Sequence, residues 1–188
     1  MTRFTTRFAK GAAIAAAAVA LATSSPTAAQ AHAPSDLTPA TASASAPASP
    51  ALAGSIPPCT AHNPDNNNGV YWWATSTIES GAAWCSYSYK YELAMQTDGN
   101  LVLYNRWSGA PIWASNTYNH PGAKARMQDD GNFVVYDTNG AALWSTGTWW
   151  VGSNSCFAFQ SDGNLVLYKG DSNRCNATPV WASGTYGR

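Results

Sequence analysis

Beyond residue 60 the chain alternates apolar and polar residues in short runs broken by Gly, Asn and Asp, and no stretch keeps a helical period. The runs LVLY at 101–104, FVVY at 133–136 and LVLY at 165–168 are β-branched or aromatic and too short for helices, so they predict strands. Each follows an Asp-Gly pair, at 98–99, 130–131 and 162–163, whose residue types tolerate positive φ and signal a hairpin turn. Strand alternation places Leu101 and Leu103 on one face, and Val102 and Tyr104 on the other. The prediction is an all-β domain.

The turns belong to a repeat. MQTDGNLVLYN at 95–105, MQDDGNFVVYD at 127–137 and FQSDGNLVLYK at 159–169 are spaced by 32 residues, and each precedes a tryptophan segment: PIWASNT, ALWSTGT and PVWASGT. No unit of this size buries an apolar face alone, so the three must pack together around a pseudo-threefold axis. Trp113, Trp144 and Trp181, one per unit, are expected in the shared core. WWATST at 72–77 resembles a further tryptophan segment, and we expect the chain from about residue 69 to complete the first unit.

The rest of the chain is different in kind. Arg3, Arg7 and Lys10 precede an alanine-rich apolar run from Gly11 to Ala22, with small residues around Ala31, so 1–31 reads as a secretory signal peptide and the protein as secreted. The run is too short for a membrane span. Residues 32–56, almost all Ala, Ser, Pro and Thr, read as a linker with too little apolar surface to fold. Residues 57–188 form the globular domain, with the core repeat at 69–188. Without the signal peptide seven basic residues face ten acidic ones, a net charge of −3, and no Lys/Arg cluster exists. Nucleic acid and anionic membranes are therefore not expected partners.

Cys59, Cys85, Cys156 and Cys175 lie in the globular part, where export favours disulfides with three possible connectivities. Proximity in sequence favours Cys59–Cys85 and Cys156–Cys175. A zinc site would want close C-x-x-C pairs or nearby histidines, and His62 and His120 sit at no such spacing. The run Asp65-Asn66-Asn67-Asn68-Gly69 lacks the distal glutamate of a calcium loop and reads as a turn. No cofactor is implied.

The outer face of each unit carries the chemistry. Gln96, Asp98, Asn100, Val102 and Tyr104 recur as Gln128, Asp130, Asn132, Val134 and Tyr136, and again as Gln160, Asp162, Asn164, Val166 and Tyr168. Turn chemistry accounts for the Asp, Gly and Asn but not for an identical Gln and Tyr in all three units. Two amides, a carboxylate and a phenol give a compact set of donors and acceptors that suits vicinal sugar hydroxyls, with the valine and the tyrosine ring against sugar C–H groups. The set contains no strong nucleophile and needs no metal.

Q-x-D-x-N-x-V-x-Y three times, with W-A-S-N-T-like segments between, resembles the bulb-type (monocot) mannose-binding lectin domain over residues 69–188. The resemblance implies a β-prism II fold, three four-stranded antiparallel sheets with the tryptophans inside and one mannose site per sheet. It assigns Asp98 and Asn100 to the axial 2-hydroxyl of mannose, Gln96 to the 3-hydroxyl, Tyr104 to the 4-hydroxyl and Val102 to the ring carbons. The same roles fall to the corresponding residues of the second and third units. Departures are Gly99 where plant members often carry a cysteine, Asp129 beside Asp130, and an insertion around Cys175. Members often exchange C-terminal strands in dimers, which leaves a homodimer open.

An enzyme would need paired carboxylates. Asp98, Asp130 and Asp162 fall on different sheets, and Glu79 and Glu92 have no visible partner. The expectation is a secreted lectin for mannose or mannose-containing glycans, millimolar per site and strengthened by avidity. The alternative is a lectin-like bacteriocin or interaction scaffold that uses the same fold without mannose binding.

Overall fold

The computed structural model describes residues 56–62, 69–171 and 174–188. The predicted signal peptide, all but the last residue of the linker, and the Asp/Asn run at 65–68 lie outside them. No helix occurs among the described residues; the strands, in chain order, are β1 (Ala61–His62), β2 (Gly69–Trp73), β3 (Thr77–Ile78), β4 (Ala83–Cys85), β5 (Tyr91–Met95), β6 (Leu101–Asn105), β7 (Ala110–Ala114), β8 (Lys124–Met127), β9 (Phe133–Tyr136), β10 (Ala142–Ser145), β11 (Ser155–Gln160), β12 (Leu165–Asp171) and β13 (Arg174–Ala182). They form three sheets, in the orders β4-β5-β6-β7, β3-β8-β9-β10 and β2-β11-β12-β13, each antiparallel throughout. This is the expected β-prism II arrangement.

Two details differ from expectation. Gly69–Trp73 does not complete the first unit but pairs with β11, Gln160 opposite Gly69, and so closes the third sheet. The first sheet is closed by β4 and the second by β3. The chain before the first repeat thus supplies the outer strand of all three sheets. The first sheet also gains a parallel edge strand, β1 against β4, with Ala61 opposite Trp84. It is therefore five-stranded.

The three turns share one geometry. Gln96 N–H donates to the Asn100 carbonyl at 2.8 Å and Gly99 N–H to the Gln96 carbonyl at 3.0 Å, leaving three residues in the loop. Gly99, Gly131 and Gly163 take φ of +95°, +93° and +85°, the left-handed step that closes such a loop into a hairpin. None of the three aspartates takes positive φ.

Alternation divides each sheet as predicted. Leu101, Leu103, Phe133, Val135, Leu165 and Leu167 enter the common core with Met95, Met127, Phe157 and Phe159. Phe133 and Phe157 stack at 3.8 Å between centroids, joining the second and third sheets. Trp113, Trp144 and Trp181 meet edge to face, with centroids 5.2, 5.7 and 6.0 Å apart, and close a triangle of one ring per sheet. Offset of positive ring edge onto negative face is the favoured geometry for such clusters. Neighbouring Ile112, Leu143 and Val180 also pack on the core, although strict alternation would turn them outward. The pairing register slips at that point in every sheet, Leu103 facing Trp113 but Tyr104 facing Pro111, so a β-bulge directs two successive side chains inward.

Both disulfides pair as expected from proximity, Cys59–Cys85 and Cys156–Cys175, with Cα separations of 5.6 and 5.8 Å. The first ties the segment carrying β1 to the first sheet, and the second ties the long β12–β13 hairpin back to β11.

Candidate functional site

The five repeated residues of each unit converge on the outer face of its sheet. In the first, Gln96 Nε2 donates to Tyr104 Oη at 2.6 Å across the turn. In the second and third, Gln128 to Tyr136 and Gln160 to Tyr168 measure 2.6 and 2.9 Å. The bond fills an acceptor site on the phenol and leaves its O–H to donate outward. One oxygen of Asp98, Asp130 and Asp162 accepts the backbone N–H of Asn100, Asn132 and Asn164, each at 2.9 Å, which fixes the carboxylate over the turn.

The asparagines are oriented from behind. Asn100 Oδ1 accepts from Ser115 Oγ at 3.1 Å and Thr117 N–H at 3.2 Å. Asn132 Oδ1 accepts from Thr146 Oγ1 and Thr148 N–H, and Asn164 Oδ1 from Ser183 Oγ and Thr185 N–H, all at 3.1 Å. With the oxygen held inward, the Nδ2 donor of each amide is turned to the site. These Ser/Thr partners were missed from sequence. The signal lies in the W-A-S-N-T-like segments, whose Ser/Thr and Thr recur in every unit beside the tryptophan. Asn116, Gly147 and Gly184 between them take φ of 60°, 70° and 69°, the left-handed kink that brings both partners onto one oxygen.

Burial favours the protonated, donating form of the first two site phenols. Burial pushes the Tyr104 phenol above its ordinary range, with Asp98 and Glu92 adding to the effect against the Gln96 hydrogen bond. Burial also raises Tyr136, reinforced by Asp130 and opposed by Arg126 and Gln128. Beside the third site, Tyr71 on β2 is raised by burial and then by Tyr168.

The three sites are not equally open. Tyr136 and Tyr168 are half-buried, whereas Tyr104 is only 4% exposed. Ile56 packs on the outer-face cluster of Ala83, Ala94, Val102, Tyr104 and Ala114, held there by the Cys59–Cys85 bridge and β1. Asn100 Nδ2, which would donate to a ligand, is buried without a partner; neither Asn132 nor Asn164 is sealed in that way. The first site is therefore covered by the segment that precedes it.

Position by position, the neighbours differ too. Cross-strand from the site tyrosine stand Glu92, Lys124 and Cys156 in the three units. Glu92 is fully buried, with Oε2 3.0 Å from Arg106 Nε and Oε1 unpartnered; the Nε–H is not directed at the carboxylate, so the contact is an ion pair rather than a hydrogen bond. Burial raises its carboxyl to about 7 against the opposing effect of Arg106. Among the described residues Cys59, Cys85 and Glu92 are the only metal-ligand types grouped closely enough to hold an ion, and both sulfurs are committed to the disulfide.

No protein-family model and no curated protein matches the chain. Solved structures do. A monomeric monocot mannose-binding lectin from Gastrodia elata is 30% identical, aligned over 64% of this chain and 99% of its own, with a TM-score of 0.52. The chain belongs to the bulb-type, monocot mannose-binding lectin family. A lectin from Marasmius oreades is 29% identical over 68% of this chain and 97% of its own, with a TM-score of 0.53. One from Allium sativum is 35% identical over 56% and 96%, with a TM-score of 0.48. The protein is thus a carbohydrate-binding lectin and not an enzyme. As a lectin it presents polar groups prearranged on a rigid sheet.

Proposed function

We propose that this lectin is a secreted protein that binds mannose-containing glycans through its second and third sites, while its first is covered. The observation that carries the reading is the threefold repetition of one hydrogen-bonded constellation: a Gln–Tyr pair, an aspartate fixed over the turn, and an asparagine whose amide oxygen is held from behind so that its nitrogen faces the site. A vicinal diol offers the matching pattern, each hydroxyl giving and accepting one bond, and the valine contacts the sugar ring. Export is supported by the signal-like start of the chain and by two disulfides, and the Gastrodia elata relative is described as mannose-binding.

Few bonds in a shallow, wet site give a monosaccharide dissociation constant on the order of millimolar. Two sites on different faces then favour branched or polymeric mannans by avidity. Calorimetric titration of the chain with methyl α-mannoside, mannobiose and glucose tests this. The expected result is weak heat for the mannosides only, with two equivalents per chain, lost when Asn132→Ala and Asn164→Ala are combined. A folded protein that releases no heat, or responds equally to glucose, would refute the proposal.

A further inference from the structure

Each site turn is clamped by the segment that follows the tryptophan strand. Thr117, Thr148 and Thr185 hydroxyls donate to the carbonyls of Gly99, Gly131 and Gly163 at 2.6, 2.8 and 2.6 Å. Shortly after, the N–H groups of His120, Gly152 and Gly187 donate to the carbonyls of Asp98, Asp130 and Asp162 at 2.9, 2.8 and 2.9 Å. Whatever lies between the two attachments must sit beside the turn that carries the site's aspartate. In every unit the first such residue is aromatic: Tyr118, Trp149 and Tyr186.

The second unit goes furthest. Trp149 and Trp150 occupy the two central positions of a β-turn closed by Val151 N–H to the Thr148 carbonyl at 3.0 Å, and they are 60% and 59% exposed. Val151 itself is buried against the site turn, where a Cβ placed on Gly131 would come within 2.9 Å of the Val151 Cβ. Two large rings are thus held in solvent on a rigid support beside an open site. Leaving that much indole in water is unfavourable in the free protein, and it gives the site a flat apolar surface that its small polar face lacks.

We propose that Trp149 and Trp150 form a second subsite at the rim of the second site, stacking on the apolar face of a pyranose linked to the mannose held by Gln128, Asp130, Asn132 and Tyr136. This rests on the reading of that site as a mannose site. An indole face accepts the polarised C–H groups of a sugar ring, and the clamp to Gly131 and Asp130 fixes the platform relative to the first sugar. A bilayer surface is less suited, because the exposed Lys124 and Arg126 on the site face of β8 are balanced by Asp129 and Asp130 at the turn, which leaves no net positive patch to hold anionic headgroups.

The test compares the full chain with the double variant Trp149→Ala/Trp150→Ala, titrated with methyl α-mannoside and with an α-linked mannotriose, by calorimetry and indole fluorescence. Parallel samples are sedimented with phosphatidylcholine and phosphatidylglycerol vesicles. The expected result is that the trisaccharide binds about tenfold tighter than the monosaccharide at one site per chain, with a fluorescence change. The variant, with its thermal midpoint unchanged, should lose that gain while keeping monosaccharide affinity. Equal trisaccharide affinity in both proteins, with mannoside binding intact, would overturn the subsite alone. Vesicle binding that disappears in the variant, with trisaccharide affinity unmoved, would assign the tryptophans to lipid and overturn it as well. Absence of any saccharide binding would overturn the mannose reading and the subsite with it.

Discussion

Replacing Glu92 by glutamine offers a quantitative check on how the first site is built. The carboxyl lies on the outer face of β5, cross-strand from Tyr104, fully buried, with one oxygen unpartnered and the other beside Arg106 and the Cys59–Cys85 sulfurs at 3.0, 3.6 and 3.7 Å. Burial raises it from 4.5 to about 7, the Arg106 attraction opposing but not cancelling desolvation. The sign follows. A group whose folded pKa exceeds its unfolded value binds its proton more tightly when folded, so its contribution is fully present below about 4.5 and is lost as pH rises to about 7. A gap of that size corresponds to about 3 kcal/mol at about 1.4 kcal/mol per unit.

The side-chain amide of the Glu92→Gln variant does not ionise and escapes this loss. The difference in stability between variant and wild type should therefore move by about 3 kcal/mol in favour of the variant between about pH 4 and about pH 8, or about 10 °C in relative Tm for a domain of this size. Urea denaturation at the two pH values, read by tryptophan fluorescence, measures it. A stability difference that does not change with pH would refute the reasoning, since it would mean that Glu92 titrates normally and its burial is relieved by solvent entry or by a stronger Arg106 pair.

The backbone and the bridge give two further tests. Gly163→Ala places a Cβ at φ +85°, 2.5 Å from the ring of buried Tyr91, and should destabilise by about 2–4 kcal/mol in chemical denaturation, whereas Gly140→Ala, at φ +84° in open space, should lose only about 1 kcal/mol. Removing the Cys59–Cys85 bridge as the double serine variant frees a 26-residue separation and should lower stability by about 3 kcal/mol. Release of the Ile56 segment should also raise the calorimetric stoichiometry with methyl α-mannoside from two towards three per chain.

Much of this was legible in the chain itself. The period of 32, the Asp-Gly turns and the alternation of LVLY, FVVY and LVLY dictated hairpins with the first and third residues of each run inward and the second and fourth, Val and Tyr, outward, because strand side chains can only alternate. Three tryptophans at equivalent positions had to meet, since no unit could bury its own. What the sequence alone left undecided depends on contacts between residues far apart along it. Gly69–Trp73 went to the third sheet, Gly69 opposite Gln160, a pairing between residues far apart along the chain that nearness to the first repeat does not announce. Ile112, Leu143 and Val180 turned inward because a bulge breaks the period of two, and nothing local announces it. Three identical motifs became one covered and two more open sites because Ile56, tethered through Cys59, lies on only one of the three faces. Identical residues fix the same local hydrogen bonds; access to them is set by what the rest of the chain lays across each sheet.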